Sequence, residues 1–90
     1  MDKEFNALYK LALDKWGQDA RLKKLVEECS ELIVAIMHMH RAESRHELID
    51  ELADVLEMIA QVSKMFDIEV EVGEARILKR AKLREALEDE

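Results

Sequence analysis

The 90-residue sequence has no proline and only two glycines, and its aromatic residues are one tryptophan, one tyrosine and two phenylalanines. Strand-rich folds depend on turn residues and on aromatic or β-branched strand residues, so this shortage makes a sheet protein improbable. The abundant Ala, Leu, Glu, Lys and Arg residues are strong helix formers. The sequence therefore predicts an all-α protein.

Cysteine and long apolar runs are also scarce. Cys29 is the only cysteine, which excludes a disulfide framework and a thiolate metal site. The longest apolar run, Leu32–Met37, is too short to cross a bilayer, and Met1–Tyr9 is too polar for a signal peptide. We expect a cytoplasmic protein that has no membrane partner.

Positive charge is the minority sign, with 14 basic residues against 21 acidic ones and a net charge of -7. This balance argues against a general nucleic-acid binder and fits a protein that binds divalent cations. The length predicts one domain over residues 1–90, able to bury about 60 to 65% of its unfolded surface. Because 49% of the residues are hydrophobic, we expect self-association as a homodimer or homotetramer.

Apolar residues at helical spacing predict a four-helix protomer. The predicted helices run over about Asp2–Trp16, over about Ala20–Met39, onward from Ser44, and over about Ile68–Leu87. Gly17 is expected to end the first, a Ser44/Glu47 capping box to start the third, and Asp67 to cap the last. Helices two and three would form an antiparallel hairpin that the outer two helices cover.

The third helix has two polar sides in this prediction. Glu47, Glu51 and Asp54 follow one border of its apolar stripe. The outer side carries further polar residues, which we expect to be solvated: Asp50, Glu57, Gln61 and Lys64. Position relative to the core thus separates the acidic residues into two sets.

Two carboxylate pairs share the same three-residue spacing, Glu28 with Glu31 and Glu51 with Asp54. Residues three apart are neighbours on a helix surface. Both pairs lie equally far from Arg41 near the bend, so a hairpin brings them to the same height, about 17 Å from it. Four facing carboxylates repel one another unless divalent cations neutralise them. Hard oxygen ligands favour Mg²⁺, with Mn²⁺ as a possible substitute, so we predict a metal site here.

The run Glu27-Glu28-Cys29-Ser30-Glu31 followed by Glu51-Leu52-Ala53-Asp54 resembles the EExxE…ExxD signature of the all-α nucleoside triphosphate pyrophosphohydrolases. The chain is most similar to the short, single-domain MazG-like proteins, including phage-type members. The likeness extends from Leu11–Gly17 to the Lys79–Leu83 region, so it covers most of the chain.

The resemblance implies hydrolysis of a nucleoside triphosphate to the monophosphate and pyrophosphate, with magnesium at the four paired carboxylates. Glu27, Glu28 and Glu31 become the candidate catalytic residues, since one of them could orient the attacking water or accept its proton. Lys79 and Lys82 fall at basic positions of the last helix and become candidate phosphate-binding residues. Arg21 and Lys24 depart from the Gln and the apolar residue expected in close relatives, so base preference does not carry over.

Three alternatives remain open. Phosphoribosyl-ATP pyrophosphatase has a similar length and paired motif, but its second motif is expected to continue with Tyr-His where this chain has Val55-Leu56. A di-iron bundle needs two Glu-x-x-His motifs, and Glu43–His46 is the single match. A non-catalytic helical interaction or regulatory module would leave the matched carboxylate pairs unexplained.

Overall fold

The computed structural model describes residues 3–89, and within that range it contains three helices and no strand. Helix α1 spans Lys3–Met37, α2 spans Ser44–Met65 and α3 spans Glu69–Glu88. The prediction of an all-α protein is therefore confirmed, whereas the predicted count of four helices is not. The predicted start of the first helix at Asp2 lies outside the described residues.

The difference in helix count arises at Gly17. Its backbone angles, φ 83° and ψ 167°, are non-helical, while the helix continues on both sides of it. Glycine adopts positive φ without the steric clash that a Cβ would cause, so one residue absorbs the change of direction. The predicted stop is therefore a kink, which divides α1 into an N-terminal segment (residues 3–16) and a hairpin segment (residues 18–37).

The hairpin segment of α1 packs antiparallel to α2. Near the bend, His38 Nδ1 lies 3.0 Å from Glu47 Oε1, and at the far end Arg21 Nη1 lies 3.3 Å from Gln61 Oε1. Within the bend, the Arg41 N–H donates to the His38 carbonyl at 2.9 Å. The predicted antiparallel pairing of these two regions is thus present.

Helix α2 begins at Ser44 as predicted, but the proposed capping box is wrong. Glu43 occupies the N-cap position and no side chain caps the helix. The Ser44 hydroxyl instead donates to the Arg41 carbonyl at 2.8 Å, and Glu47 is engaged with His38 across the bend. Both side chains therefore stabilise the bend, because that bend offers them partners that an isolated helix start would lack.

Asp67 also has a different role from the predicted N-cap. It has φ 56°, and its N–H donates to the Lys64 carbonyl at 3.0 Å, while the Ile68 N–H donates to the Ser63 carbonyl at 2.9 Å. This pair of bonds is the Schellman arrangement that ends a helix, so Asp67 terminates α2. Ile68 is the N-cap of α3, and no side chain caps it.

Helix α3 does not cover the hairpin, contrary to our expectation. It contacts α2 but not α1, and none of its residues is buried. Its large apolar side chains are spread around the helix instead of forming one stripe: Val70, Ile77, Leu78, Leu83 and Leu87. A helix without an apolar face gains little by lying on the hairpin.

The buried core is small and lies between α1 and α2. Its hydrophobic members are Tyr9, Ala35, Val55 and Met58. Many apolar side chains elsewhere on the hairpin stay exposed, including Val26 and Leu56, each at 65%. Within residues 3–89, no helix combines the length and the hydropathy that a membrane-spanning segment requires.

Candidate metal centre and active site

A carboxylate cluster bridges the two helices of the hairpin. One carboxylate oxygen from each of Glu28, Glu51 and Asp54 lies within 4.8 Å of the others. Oxygens of Glu27, Glu28 and Glu31 form a second group within the same limit. Glu28 belongs to both groups, so the structure brings together all five acidic residues that the sequence nominated.

Glu28 is the most enclosed member of the cluster, with 5% of its surface exposed. It lies on α1 and its carboxylate is close to those of Glu51 and Asp54 on α2. Burial is the main factor that raises the pKa of Glu28, followed by its hydrogen bond and charge repulsion with Asp54 and by repulsion from Glu31. Without a cation, ionised Glu28 is therefore unfavourable here.

The pKa of Glu51 is raised as well. Burial contributes most, then repulsion from Glu31 and Asp54, then a hydrogen bond with Glu31. Glu51 thus links the α1 pair to the α2 pair. Burial first, and then repulsion between carboxylates, thus disfavours ionisation on both of the facing helices.

Glu51 also provides a test of whether a metal ion fits. Its Oε2 atom is buried and has no hydrogen-bond partner among residues 3–89. A buried carboxylate oxygen without a partner is costly, and a bound cation would satisfy it. The ligands on offer are carboxylate oxygens, which suit hard divalent ions of the Mg²⁺ class. The residues present therefore fit a divalent metal.

Lys24 supplies the one positive charge that directly contacts the cluster in the described range. Its Nζ lies 3.5 Å from Glu28 and 3.7 Å from Glu27. The pKa of Lys24 is raised, first by the charge of Glu27 and then by that of Glu28. At this position we had expected an apolar residue, so Lys24 partly balances the cluster in a way that the motif does not predict.

A cleft of about 380 Å³ adjoins the far end of the hairpin, and sequence reasoning missed it. Gln61 and Lys64 line it, although we had assigned both to a solvated outer side of α2. The N-terminal segment of α1, which precedes the kink, packs over that side, and the Tyr9 hydroxyl donates to Glu57 Oε2 at 2.8 Å. The prediction that Glu57, Gln61 and Lys64 are merely solvated is therefore wrong.

The sequence spacing of Arg21 and Gln61 from the carboxylates could have indicated this cleft. Arg21 precedes Glu28 by seven residues and Gln61 follows Asp54 by seven. Two helical turns separate each pair, so the members of a pair lie on one face. The sequence could not show that the N-terminal segment would close this face into a cleft, because the angle between the two segments of α1 at Gly17 is not encoded in local periodicity.

The candidate phosphate-binding lysines are not brought to the cluster within one chain. Lys79 and Lys82 are exposed on α3, which does not contact α1. His38 is paired with Glu47 at the bend. The carboxylates are therefore assembled by the hairpin alone.

The family model of the MazG nucleotide pyrophosphohydrolase domain matches residues 17–86. This chain belongs to the MazG family. The matched range includes the whole hairpin segment, α2 and most of α3, and it begins at the kink. No curated protein and no solved structure matches the chain.

The resemblance to MazG-like proteins that the paired motif indicated is therefore confirmed. Family membership supports nucleotide pyrophosphohydrolase activity, which is a hydrolase activity. The N-terminal segment, residues 3–16, lies outside the matched range. One wall of the cleft is thus built by a part of the chain that the family match does not cover.

Proposed function

We propose that this MazG-family protein hydrolyses a nucleoside triphosphate to the nucleoside monophosphate and pyrophosphate in a Mg²⁺-dependent reaction. The observation that carries the proposal is the cluster of Glu28, Glu51 and Asp54, held from two helices with oxygens within 4.8 Å. Phosphoryl transfer depends on neutralising charge and on positioning, which such a cluster supports when it holds metal. A surface interaction module would have no use for a mutually repelling group of carboxylates with a buried member, Glu28.

Glu28, Glu31, Glu51 and Asp54 would hold the metal. When bound, Mg²⁺ supplies charge neutralisation at the phosphates and a more acidic water. The protein's own part is to fix these ligands and to place a proton acceptor. A carboxylate of Glu27, Glu28 or Glu31 would accept the proton of the attacking water as its oxygen bonds to phosphorus. The bond that breaks joins the α- and β-phosphates, and pyrophosphate leaves.

The test is an assay over ribo- and deoxynucleoside triphosphates with Mg²⁺ or Mn²⁺, measuring pyrophosphate and monophosphate together. We expect equal amounts of both products from at least one nucleotide, and none after chelation of the metal. Release of orthophosphate would contradict the proposed bond cleavage. Turnover of phosphoribosyl-ATP alone would favour the related pyrophosphatase of histidine biosynthesis.

We further propose that the protein acts as a homodimer. Exposed apolar residues follow alternating three- and four-residue spacing on both hairpin helices: Val26, Cys29, Ile33 and Ile36 on α1, and Ile49, Leu52, Leu56 and Ile59 on α2. Such a stripe is the pattern of helix pairing between chains. Ile33 lies on the opposite flank of α1 from Glu31, so pairing there leaves the carboxylates accessible.

Sedimentation or light scattering tests the dimer. Leu56→Asp places a charge in the middle of the stripe and is expected to give a monomer, whereas Asp50→Asn on the outer side of α2 should leave the assembly unchanged. A wild-type monomer at micromolar concentration would contradict the proposal. In a dimer, Lys79 and Lys82 would reach substrate phosphates from the neighbouring protomer, since α3 does not approach the cluster of its own chain.

A further inference from the structure

The cleft at the far end of the hairpin has the size and lining of a small-ligand site. Its volume of about 380 Å³ lies within the range of pockets that bind cofactor-sized molecules. Most of its exposed wall is apolar, with Tyr9, Leu13 and Met65 among its residues. The polar lining residues are Asn6, Lys10, Arg21, Gln61 and Lys64. An apolar wall with a few fixed polar groups is suited to a planar ring that also forms hydrogen bonds.

Arg21 is held in place but has unused hydrogen-bonding capacity. Its guanidinium lies 4.6 Å from the centroid of the Trp16 ring, and its Nη1 donates to Gln61 Oε1 at 3.3 Å. Its Nε is buried and has no hydrogen-bond partner among residues 3–89. Because Gln61 accepts through Oε1, its amide nitrogen is left as a donor. Arg21 and Gln61, which both line the cleft, therefore contribute donors to its lining and no free acceptor.

The position of this pair matches the length of a nucleotide. Arg21 lies two helical turns from Glu28 on α1, and Gln61 lies two turns from Asp54 on α2, so about 10 Å along the hairpin separates the pair from the carboxylates. A ribose separates the base of a nucleotide from its phosphates by a spacing of this order. A triphosphate bound at the metal cluster would thus extend its base toward the cleft.

We propose that Arg21 and Gln61 select the base of the substrate nucleotide, favouring a base edge with two adjacent acceptors. This inference rests on the proposed function, because it assumes that phosphates bind at the carboxylates. Guanine offers such an edge at O6 and N7, and cytosine offers one at N3 and O2. Adenine places a donor beside N7, and uracil places an N–H between its two carbonyl groups, so both oppose a pair of donors.

Nuclear magnetic resonance can test base selection without metal or turnover. The four nucleoside monophosphates are titrated into ¹⁵N-labelled protein, and the Arg21 Nε–H and Trp16 indole N–H signals are followed. We expect GMP or CMP to bind at least about tenfold more tightly than AMP and UMP, which is the discrimination that one bidentate contact provides. The same titration shows which of the two acceptor-rich bases is preferred.

Two substitutions of Arg21 test whether its hydrogen bonds cause the base preference. Arg21→Gln is expected to reduce the preference to less than about threefold. Arg21→Lys, which keeps the charge but loses the planar fork, is expected to reduce it similarly. The exposed Arg45 provides a matched control, and Arg45→Gln should leave the preference intact. Helical circular dichroism of each variant confirms that it is folded.

Several outcomes would overturn base selection. These are equal binding of all four nucleotides, no shift of either signal, or an unchanged preference in Arg21→Gln. A preference retained by Arg21→Lys would mean that charge, not hydrogen bonding, is responsible. If no triphosphate is hydrolysed but the binding preference holds, the proposed reaction fails and base selection stands. If hydrolysis occurs without a base preference, base selection alone fails.

Discussion

The carboxylate cluster of the hairpin and the basic run of α3 carry charges of opposite sign in very different surroundings. The hairpin holds its carboxylates against one another, with Glu28 only 5% exposed. Helix α3 contains a run of basic residues from Arg76 to Arg84, all of them exposed. An ionised side chain is costly in the enclosed cluster and costs almost nothing on the exposed surface of α3. A protein retains a costly arrangement where function requires it, which supports the proposal that the chemistry takes place on the hairpin.

The largest difference between the two regions is expected in turnover. Asp54→Asn removes one of the three carboxylates that meet across the helices, and we expect kcat/KM to fall by at least about 100-fold, as for other metal-site groups. Lys82→Ala on α3 should raise KM by about tenfold or less and change kcat little. Steady-state pyrophosphate release measures both. A larger loss of kcat in Lys82→Ala than in Asp54→Asn would reverse the comparison.

The hairpin is also the part of the fold that the sequence predicted best. The equal spacing of Glu28 and Asp54 from Arg41 depends only on helical rise, and the structure brings these two residues together. Helix type followed from composition, since nothing in the chain favours strands. Local periodicity and local spacing therefore explain the cluster.

Features that depend on chain direction between helices could not be predicted. Whether Gly17 ends a helix or kinks it depends on what the N-terminal segment packs against. Tyr9 of that segment bonds to Glu57, which lies 40 residues after Gly17 in the sequence. The roles of Ser44 and Asp67 likewise depend on bends whose acceptors come from neighbouring turns. Capping patterns were present in the sequence, but competing partners occupied the side chains.

The next effect is stabilisation by a divalent ion. A ligand that binds only the folded state raises the free energy of unfolding by about 2.7 kcal/mol at a concentration a hundredfold above its Kd. We expect Mg²⁺ to raise the melting temperature of the wild type but not that of the Glu51→Gln/Asp54→Asn double variant. Calorimetry with and without chelator measures this. A matched change on α3, Glu74→Gln, should keep the metal response, and equal responses in all three proteins would contradict a site at the cluster.

Acidity should affect the metal-free hairpin in a defined direction. Because the pKa values of Glu28 and Glu51 are raised in the folded state, that state binds protons that the unfolded chain has already released. Stability is therefore expected to fall as pH rises from the ordinary carboxyl pKa of about 4 to the raised values. Urea unfolding of chelator-treated protein measures the slope. Glu28→Gln should reduce this pH dependence. A stability that rises with pH over this interval would show that the carboxyl pKa values are not raised in the folded state.

The smallest effects are expected from alanine substitution of the two glycines, which separates helix propensity at Gly73 from backbone strain at Gly17. Gly73 is helical, and a Cβ there would meet no atom within 4 Å. We therefore expect Gly73→Ala to stabilise α3 by about 0.5 to 1 kcal/mol and to slow its amide hydrogen exchange by about two- to fivefold. Exchange in the hairpin should not change, because α3 has few contacts with it. Gly17→Ala is the matched opposite, since its φ of 83° strains any side-chain-bearing residue, and it should destabilise the kink by about 1 kcal/mol. If Gly73→Ala slowed exchange equally in α1 and α2, α3 would unfold together with the hairpin, and the two regions would be one cooperative unit.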